Sequence, residues 1–222
     1  MSTPTVAERV AAVRTRIERA ARAAGRDPAE VRLVAATKTV GVDRIAEAVA
    51  AGVTDLGENR AQELLEKAPA LAGMGALTPV TWHFLGNVQR NKIGRLAPWV
   101  GCWQSIDRRE LGPAISRHAP SARVLIEVNV AGEIQKPGCA PEDAPALLDE
   151  LRAAGLDVVG LMTVPPHGDE PGPWFAMLRD LGARLGLPEL SMGMTDDFEL
   201  AVREGATMVR VGRALFGSRA PR

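Results

Sequence analysis

The sequence predicts an α/β fold: a single closed (β/α)8 TIM-type barrel with an extra N-terminal helix. Three observations predict it. Eight short β-like runs alternate with helical patterns, no break in composition separates them, and no GxGxxG follows the first run to favour a dinucleotide-binding sheet. Element order by itself does not distinguish a closed barrel from an open doubly wound sheet. A chain of 222 residues is long enough for one large core, so one domain over 1–222 is expected, with 1–28 packed on it as a helix.

The elements follow in order. Val6, Val10, Val13, Ile17, Ala20 and Ala24 recur at helical spacing, which predicts a packing helix; Glu8 and Glu18 count against an Arg-rich transit peptide. The run 31–38 is the first strand, and Val42, Ile45, Ala46 and Val49 form the next helix face, stopped at Gly52. TDLGEN, 54–59, is the second strand, with Ala61, Leu64, Leu65 and Ala68 on the helix after it. TWHFLG, 81–86, is third, followed by the short helical segment NVQRNKIGRLA; VGCWQSID, 100–107, is fourth. Asp107 and Glu110 read as a capping pair for a helix bearing Leu111, Ala114 and Ile115. RVLIEVNV, 123–130, is the clearest strand, and Pro141 opens a helix with Ala144, Leu147, Leu148 and Leu151 inward. LDVVGLMTV is sixth; after Pro165 and Pro166 a helix forms around Trp174, Leu178, Leu181 and Leu185. ELSMGM, 189–194, and TMVRVGRALFG close the series. Phe198, Ala201 and Val202 lie between them on a helix with Thr195 as N-cap and Asp196 and Asp197 in its first turn.

Lys plus Arg and Asp plus Glu are both 27, so no global charge favours nucleic acid or an anionic membrane. Cys102 and Cys139 are far apart and form no CxxC pair, which argues against a disulfide framework or a zinc site and for a reduced, cytoplasmic protein. No run of 18 apolar residues occurs, and no signal sequence is expected. Three histidines without HExxH make no metal site; His118 and His167 read as surface residues, and the basic run QRNKIGR as a solvated helix face. The tryptophans read as packing residues.

In a barrel, residues at the C-terminal ends of strands face the site. Lys38, Asn59, His83, Asp107, Asn129, Met162, Thr163, Ser191, Arg210 and Gly212 all hold such positions. An amine in a partly desolvated, cation-rich pocket loses basicity and adds to an aldehyde as an imine, with Arg210 the neighbouring cation. A single strand-end lysine also fits plain snorkelling to solvent. Barrel proteins bind phosphate between the loops after strands seven and eight, where Gly212 permits close backbone approach, Arg213-Ala-Leu-Phe forms a short helix, and Ser191 and Thr195 add hydroxyls. Each of these also has a purely structural reading: Gly212 ends a strand, Thr195 caps, and Arg210 is a wall residue. Together with Lys38 they describe an aldehyde-bearing phosphate ligand, pyridoxal 5′-phosphate, with Arg210 facing the pyridine nitrogen and keeping it unprotonated.

AATKTV, GENRAQE, WHFLGNVQRNK, SIDR, VNVAGEIQKPG, GLMTV and LSMGMTDDFELAVREGATMVRVGRALFG together resemble the pyridoxal phosphate homeostasis protein family over nearly the whole chain. The resemblance implies a barrel of the alanine-racemase N-terminal type that holds the cofactor as an imine on Lys38. Ser191, Thr195, Gly212 and Arg213 are then at its phosphate and Arg210 at its ring nitrogen. Asn59, His83, Met162 and Gly193 complete the expected cofactor-binding set, and Lys136 matches a secondary contact. The implied function is non-catalytic carriage and homeostasis of the cofactor, by a monomer whose candidate partners are pyridoxal-phosphate-dependent apo-enzymes. Arg60 stands where the family usually has a tyrosine, so no phenol serves the pocket mouth there. The rival reading is a racemase or decarboxylase on the same barrel. Racemisation needs a second acid–base group opposite the lysine, and the chain has no tyrosine to supply one. A cofactor-free Schiff-base aldolase leaves the phosphate pattern only partly explained.

Overall fold

The computed structural model describes residues 3–75 and 79–217; the outermost residues of the expected domain span lie outside them. Eight parallel strands, β1 (Arg32–Ala36), β2 (Asp55–Glu58), β3 (Thr81–Phe84), β4 (Val100–Ile106), β5 (Arg123–Glu127), β6 (Asp157–Met162), β7 (Glu189–Ser191) and β8 (Met208–Val211), close in sequence order, with β8 pairing back onto β1. Closure removes the open-sheet alternative. It also satisfies every strand edge, which an open sheet must cover by other means.

Helices α1 (Val6–Ala23), α2 (Val42–Ala50), α3 (Ala61–Gly73), α4 (Ile93–Leu96), α5 (Leu111–Ser116), α6 (Ala144–Ala153), α7 (Gly172–Leu185), α8 (Phe198–Arg203) and α9 (Arg213–Phe216) surround the strands. Alternation along each strand divides the apolar residues between two layers. Side chains such as Leu56, Trp103, Ile126 and Val209 face the helices in one large core, while Val34, Cys102, Leu125, Met162 and Met208 fill the barrel itself. At the barrel's N-terminal end Arg32 and Arg123 both donate to Glu189. The tryptophans Trp82 and Trp103 are buried packing residues, as expected.

The N-terminal helix is fixed at its start by a reciprocal capping box between Thr5 and Glu8. It buries Val6, Val10, Val13, Ile17, Ala20 and Ala21 against α2, α8 and α9; the helix ends one residue short of the exposed Ala24, and Ala21 takes the expected place in the stripe. Each buried valine or isoleucine there contributes roughly 1.5–3 kcal/mol. Polar ties reinforce the seam, with Arg16 bidentate on Glu199 and Arg26 donating to the carbonyls of Val202 and Ala206 at 2.7 and 2.9 Å.

Several helix starts differ from expectation, and before α5 and α8 the loop recruits the expected cap for another bond. Asp107 pairs with Arg108, so α5 begins at Leu111 without a side-chain cap. α6 begins at Ala144, with Pro145 rather than Pro141 in its first turn. α8 begins at Phe198 after Asp197, whose carboxylate accepts the Met194 N–H at 2.5 Å, and Thr195 is released from capping.

Candidate functional site

Lys38 sits on a tight turn that ends the inward face of β1. Val40 N–H donates to the Thr37 carbonyl at 2.8 Å, and Thr39 adopts φ 65°, the left-handed region that a β-branched residue enters only when its surroundings hold it there. The neighbours of Lys38 point outward into a buried charged cluster between β2 and α3. Lys67 Nζ donates to the Thr37 carbonyl at 2.9 Å, to Glu58 Oε1 at 2.6 Å and to Glu63 Oε2 at 2.6 Å. The Thr37 hydroxyl donates to Glu58 Oε1 at 2.9 Å, and the Thr39 N–H donates to Glu63 Oε2 at 2.8 Å. Burial works against ionisation of Glu63, but the Lys67 and Thr39 hydrogen bonds outweigh it and hold its carboxyl below the ordinary range. With Thr37 turned out, Lys38 is half-buried on the mouth side of the wall.

Arg210 lies on the adjacent strand, paired in register with Val34. It starts a chain of donors that crosses the barrel interior. Its Nη1 donates to Ser191 Oγ at 2.7 Å, Ser191 Oγ to Gln104 Oε1 at 2.6 Å, and Gln104 Nε2 to His83 Nδ1 at 2.7 Å; His83 Nε2–H then donates to Asp55 at 2.9 Å. Because Gln104 uses its oxygen for Ser191, its amide nitrogen must face His83, and this sets the imidazole tautomer. Arg210 Nη2 also donates to the Thr163 carbonyl at 2.8 Å, which leaves guanidinium N–H groups to spare. Burial pushes the guanidinium down to about 10, with the carboxylates of Glu127 and Asp197 supporting its charge, so it remains a cation at neutral pH.

The loop after β7 and the start of α9 come together beside Arg210. The Arg210 N–H donates to the Gly193 carbonyl at 2.9 Å, and the Thr195 hydroxyl lies 3.4 Å from the Ala214 N–H, which donates toward it. Gly193 has φ 89°, and a Cβ there would stand 2.5 Å from Ala201 Cβ and 2.9 Å from Phe198 Cα, so only glycine fits. Gly212 runs against β1, where a Cβ would meet the Ala36 carbonyl at 3.0 Å. Arg213 is exposed and ion-paired with Asp196.

The structure thus brings Lys38, Arg210, Gly193, Thr195, Gly212 and Arg213 to one rim. Ser191 differs from the placement the resemblance implies, because it is fully buried and its hydroxyl is spent between Arg210 and Gln104. His83 is likewise an interior residue, 1% exposed, and Met162 belongs to the apolar filling of the barrel beneath the rim. Asn59 flanks the mouth; it lines a cleft of about 680 Å3 with Arg60, Phe84, Asn87 and Lys92. A smaller cavity, about 390 Å3, lies at the other end around Ile17, Leu33 and Asp55 and touches none of these groups. Lys136 donates to the Pro165 carbonyl at 3.0 Å and pairs with Glu133.

Sequence reading missed Glu127, which ends β5 inside the barrel, 7% exposed. Burial, with the Asp107 charge adding to it and Arg210 opposing, raises its carboxyl to about 7. The alternation of RVLIEVNV carried the signal, since it puts Arg123, Leu125, Glu127 and Asn129 on one face. The Glu58–Glu63–Lys67 cluster was also missed, although Glu63 and Lys67 stand at i, i+4. The two thiols are pushed up to about 12, chiefly by burial. Among the described residues there is no group of acidic, histidine or cysteine side chains that could hold a metal, and no helix long and apolar enough to cross a membrane.

The family model described as the alanine racemase N-terminal domain matches residues 9–220. Among relatives, the pyridoxal phosphate homeostasis proteins of Pseudomonas aeruginosa and Aquifex aeolicus are 45% and 41% identical. They align over 97% and 96% of this chain and 96% and 97% of their own lengths. The chain belongs to the pyridoxal phosphate homeostasis protein family. PipY of Synechococcus elongatus, a structure with pyridoxal phosphate bound, superposes with a TM-score of 0.83 at 34% identity, covering 96% of this chain and 100% of that one.

Proposed function

We propose that the barrel mouth holds pyridoxal 5′-phosphate covalently through Lys38 and that the protein serves as a carrier or buffer of the cofactor. The observation that carries this reading is the meeting, on one rim, of Lys38, the buried Arg210 and the Thr195–Ala214 corner. The names of the bacterial relatives and the cofactor bound in PipY support it. The donor set also fits the cofactor: a primary amine for the aldehyde, a guanidinium with spare donors for the ring nitrogen, and a hydroxyl beside backbone amides for the phosphate.

When bound, the cofactor supplies an aldehyde carbon to which a primary amine adds with loss of water. Lys38 provides that amine, held toward the mouth by its turn. Arg210 is a donor that stays charged at neutral pH; it would donate to the pyridine nitrogen of the bound cofactor without giving up its proton, which would disfavour protonation of that nitrogen. Thr195 and the amides at the start of α9 receive the phosphate, and Gly193 and Gly212 leave the room for it. Met162 forms part of the floor, and Ser191 and His83 act by fixing Arg210 from below. The chain has no tyrosine to oppose Lys38 as a proton donor, which favours holding over turnover. We further assign cofactor-dependent apo-enzymes as recipients, a monomeric state, and a reducing cytoplasmic setting in keeping with two free cysteines.

The test is an absorbance spectrum of the cofactor-loaded protein before and after borohydride, on wild type and Lys38→Ala. Wild type should show a band that reduction fixes covalently, and the variant should not be trapped; trapping in both would remove Lys38 from the site. Assays with both alanine enantiomers and with lysine address the racemase and decarboxylase rival. Steady turnover of either would replace the carrier reading.

A further inference from the structure

We propose that Lys67, acting with Glu63, is a positioning residue for Lys38: it locks the turn that aims the amine into the mouth. The inference rests on the reading that Lys38 is the attachment point and deepens it.

Three features of the geometry carry the assignment. Both backbone groups flanking Lys38 are bound to one cluster: the Thr37 carbonyl to Lys67 Nζ at 2.9 Å and the Thr39 N–H to Glu63 Oε2 at 2.8 Å, while Lys67 itself ties Glu63 to the buried Glu58. No other α3 side chain needs to reach the turn for both ends to be fixed. Second, Thr39 is held at φ 65°, a strained conformation for a β-branched residue, so the turn relaxes to an ordinary conformation unless something outside it resists. The Glu63 carboxylate on the Thr39 N–H supplies that resistance. Third, the cluster lies on the outer face of the barrel wall, with Glu58 fully buried and Lys67 largely so. Besides the turn at residues 37–39 it holds the Asn59 N–H, which donates to Glu58 Oε2 at 2.8 Å, and Arg60, which pairs with Glu63.

A stretch of wall that merely needed filling would take apolar side chains at lower desolvation cost. Two side chains, Lys67 and Glu63, bonded to the peptide groups on either side of one lysine and tied together with Glu58, instead fix an orientation. Releasing the turn lets Lys38 swing, and misplacing a reacting atom by about an ångström costs up to about a hundredfold in the step that needs it. Binding that needs no carbon–nitrogen bond is untouched.

The experiment compares two ligands on wild type, Lys67→Met and Glu63→Ala. Pyridoxal 5′-phosphate can be attached to Lys38; pyridoxamine 5′-phosphate has the same ring and phosphate but no aldehyde. Both variants should bind pyridoxamine phosphate within about twofold of wild type, and should form the borohydride-trappable link at least about tenfold more slowly and with weaker apparent affinity. Lys67→Met strands Glu58 in the interior; if it does not fold by near-ultraviolet circular dichroism, Glu63→Ala, at a partly exposed position, decides the matter. Folded variants that trap the aldehyde at the wild-type rate overturn the proposal. So does an equal loss for both ligands, which would mean a general loosening of the site. Wild type that forms no trappable link at all would instead remove the attachment reading on which the proposal stands.

Discussion

The Arg210 guanidinium donates to the Ser191 hydroxyl at 2.7 Å, deep enough in the barrel that neither side chain exceeds 5% exposure. Ser191 in turn donates to Gln104, so a glutamine from β4 orients an arginine from β8 through a serine at the end of β7. Ser191→Ala removes the middle of this relay and leaves a buried amide oxygen and a guanidinium N–H without partners. We expect a loss of about 1–3 kcal/mol in urea unfolding, with a weaker hold on the cofactor ring. A variant as stable as wild type would show that a water replaces the hydroxyl.

Thr195 should discriminate the phosphate from the rest of the cofactor. Thr195→Val keeps the side-chain shape and deletes the hydroxyl beside the Ala214 N–H. Affinity for pyridoxal 5′-phosphate should fall about tenfold, while binding of pyridoxal, which lacks the phosphate, should stay at the wild-type value. Equal losses for the two would place Thr195 elsewhere than at the phosphate.

Glu127 predicts a pH dependence of stability. Its carboxyl is raised in the folded protein to about 7 from an ordinary 4.5, so the folded state binds the proton more tightly than the unfolded state. Its contribution is fully present below the unfolded value and is lost as pH rises through about 7. Thermal stability should therefore decline between about pH 5 and pH 8 by up to ~3 kcal/mol from this group. Glu127→Gln should flatten that decline and be the more stable protein at pH 8; parallel melting curves for the two would exclude Glu127 as the source.

Gly193→Ala tests the loop that joins β7 to the rim. The new methyl would enter a left-handed backbone and press on Phe198 and Ala201. A cost of about 2 kcal/mol or more in unfolding free energy is expected. Because the Gly193 carbonyl accepts the Arg210 N–H, cofactor binding should weaken together with stability.

Much of the architecture was legible because periodicity reports burial directly. The stripe from Val6 to Ile17 is a consequence of facing a core, and the structure confirms it; β5, shorter than expected at Arg123–Glu127, sends Leu125 into the barrel and Val124 and Ile126 toward the helices. Strand-end positions followed from the same barrel: Lys38 falls on the turn after β1 and Arg210 on β8. What the sequence hid were pairings made across the fold. Thr195 looks like a cap beside Asp196 and Asp197, yet its hydroxyl turns to α9, a neighbour it meets only when β8 is laid beside β7. The sequence marks His83 and Ser191 as strand-end site residues and does not single out Gln104; that the three form one line is set by the radius of the barrel, which brings together residues many positions apart. Lys67 and Glu63 were readable as a helix pair, but not as a pair reaching the turn at Thr37–Thr39.

The one-way order of the interior donors has a mechanical meaning. From Arg210 to Asp55 each group gives a hydrogen to the next, and an arginine at one end cannot receive while a carboxylate at the other cannot give. No member can rotate alone without stranding its neighbours, so the series has a single arrangement rather than two. The base of the cup is thus a rigid floor whose shape is set before any ligand arrives.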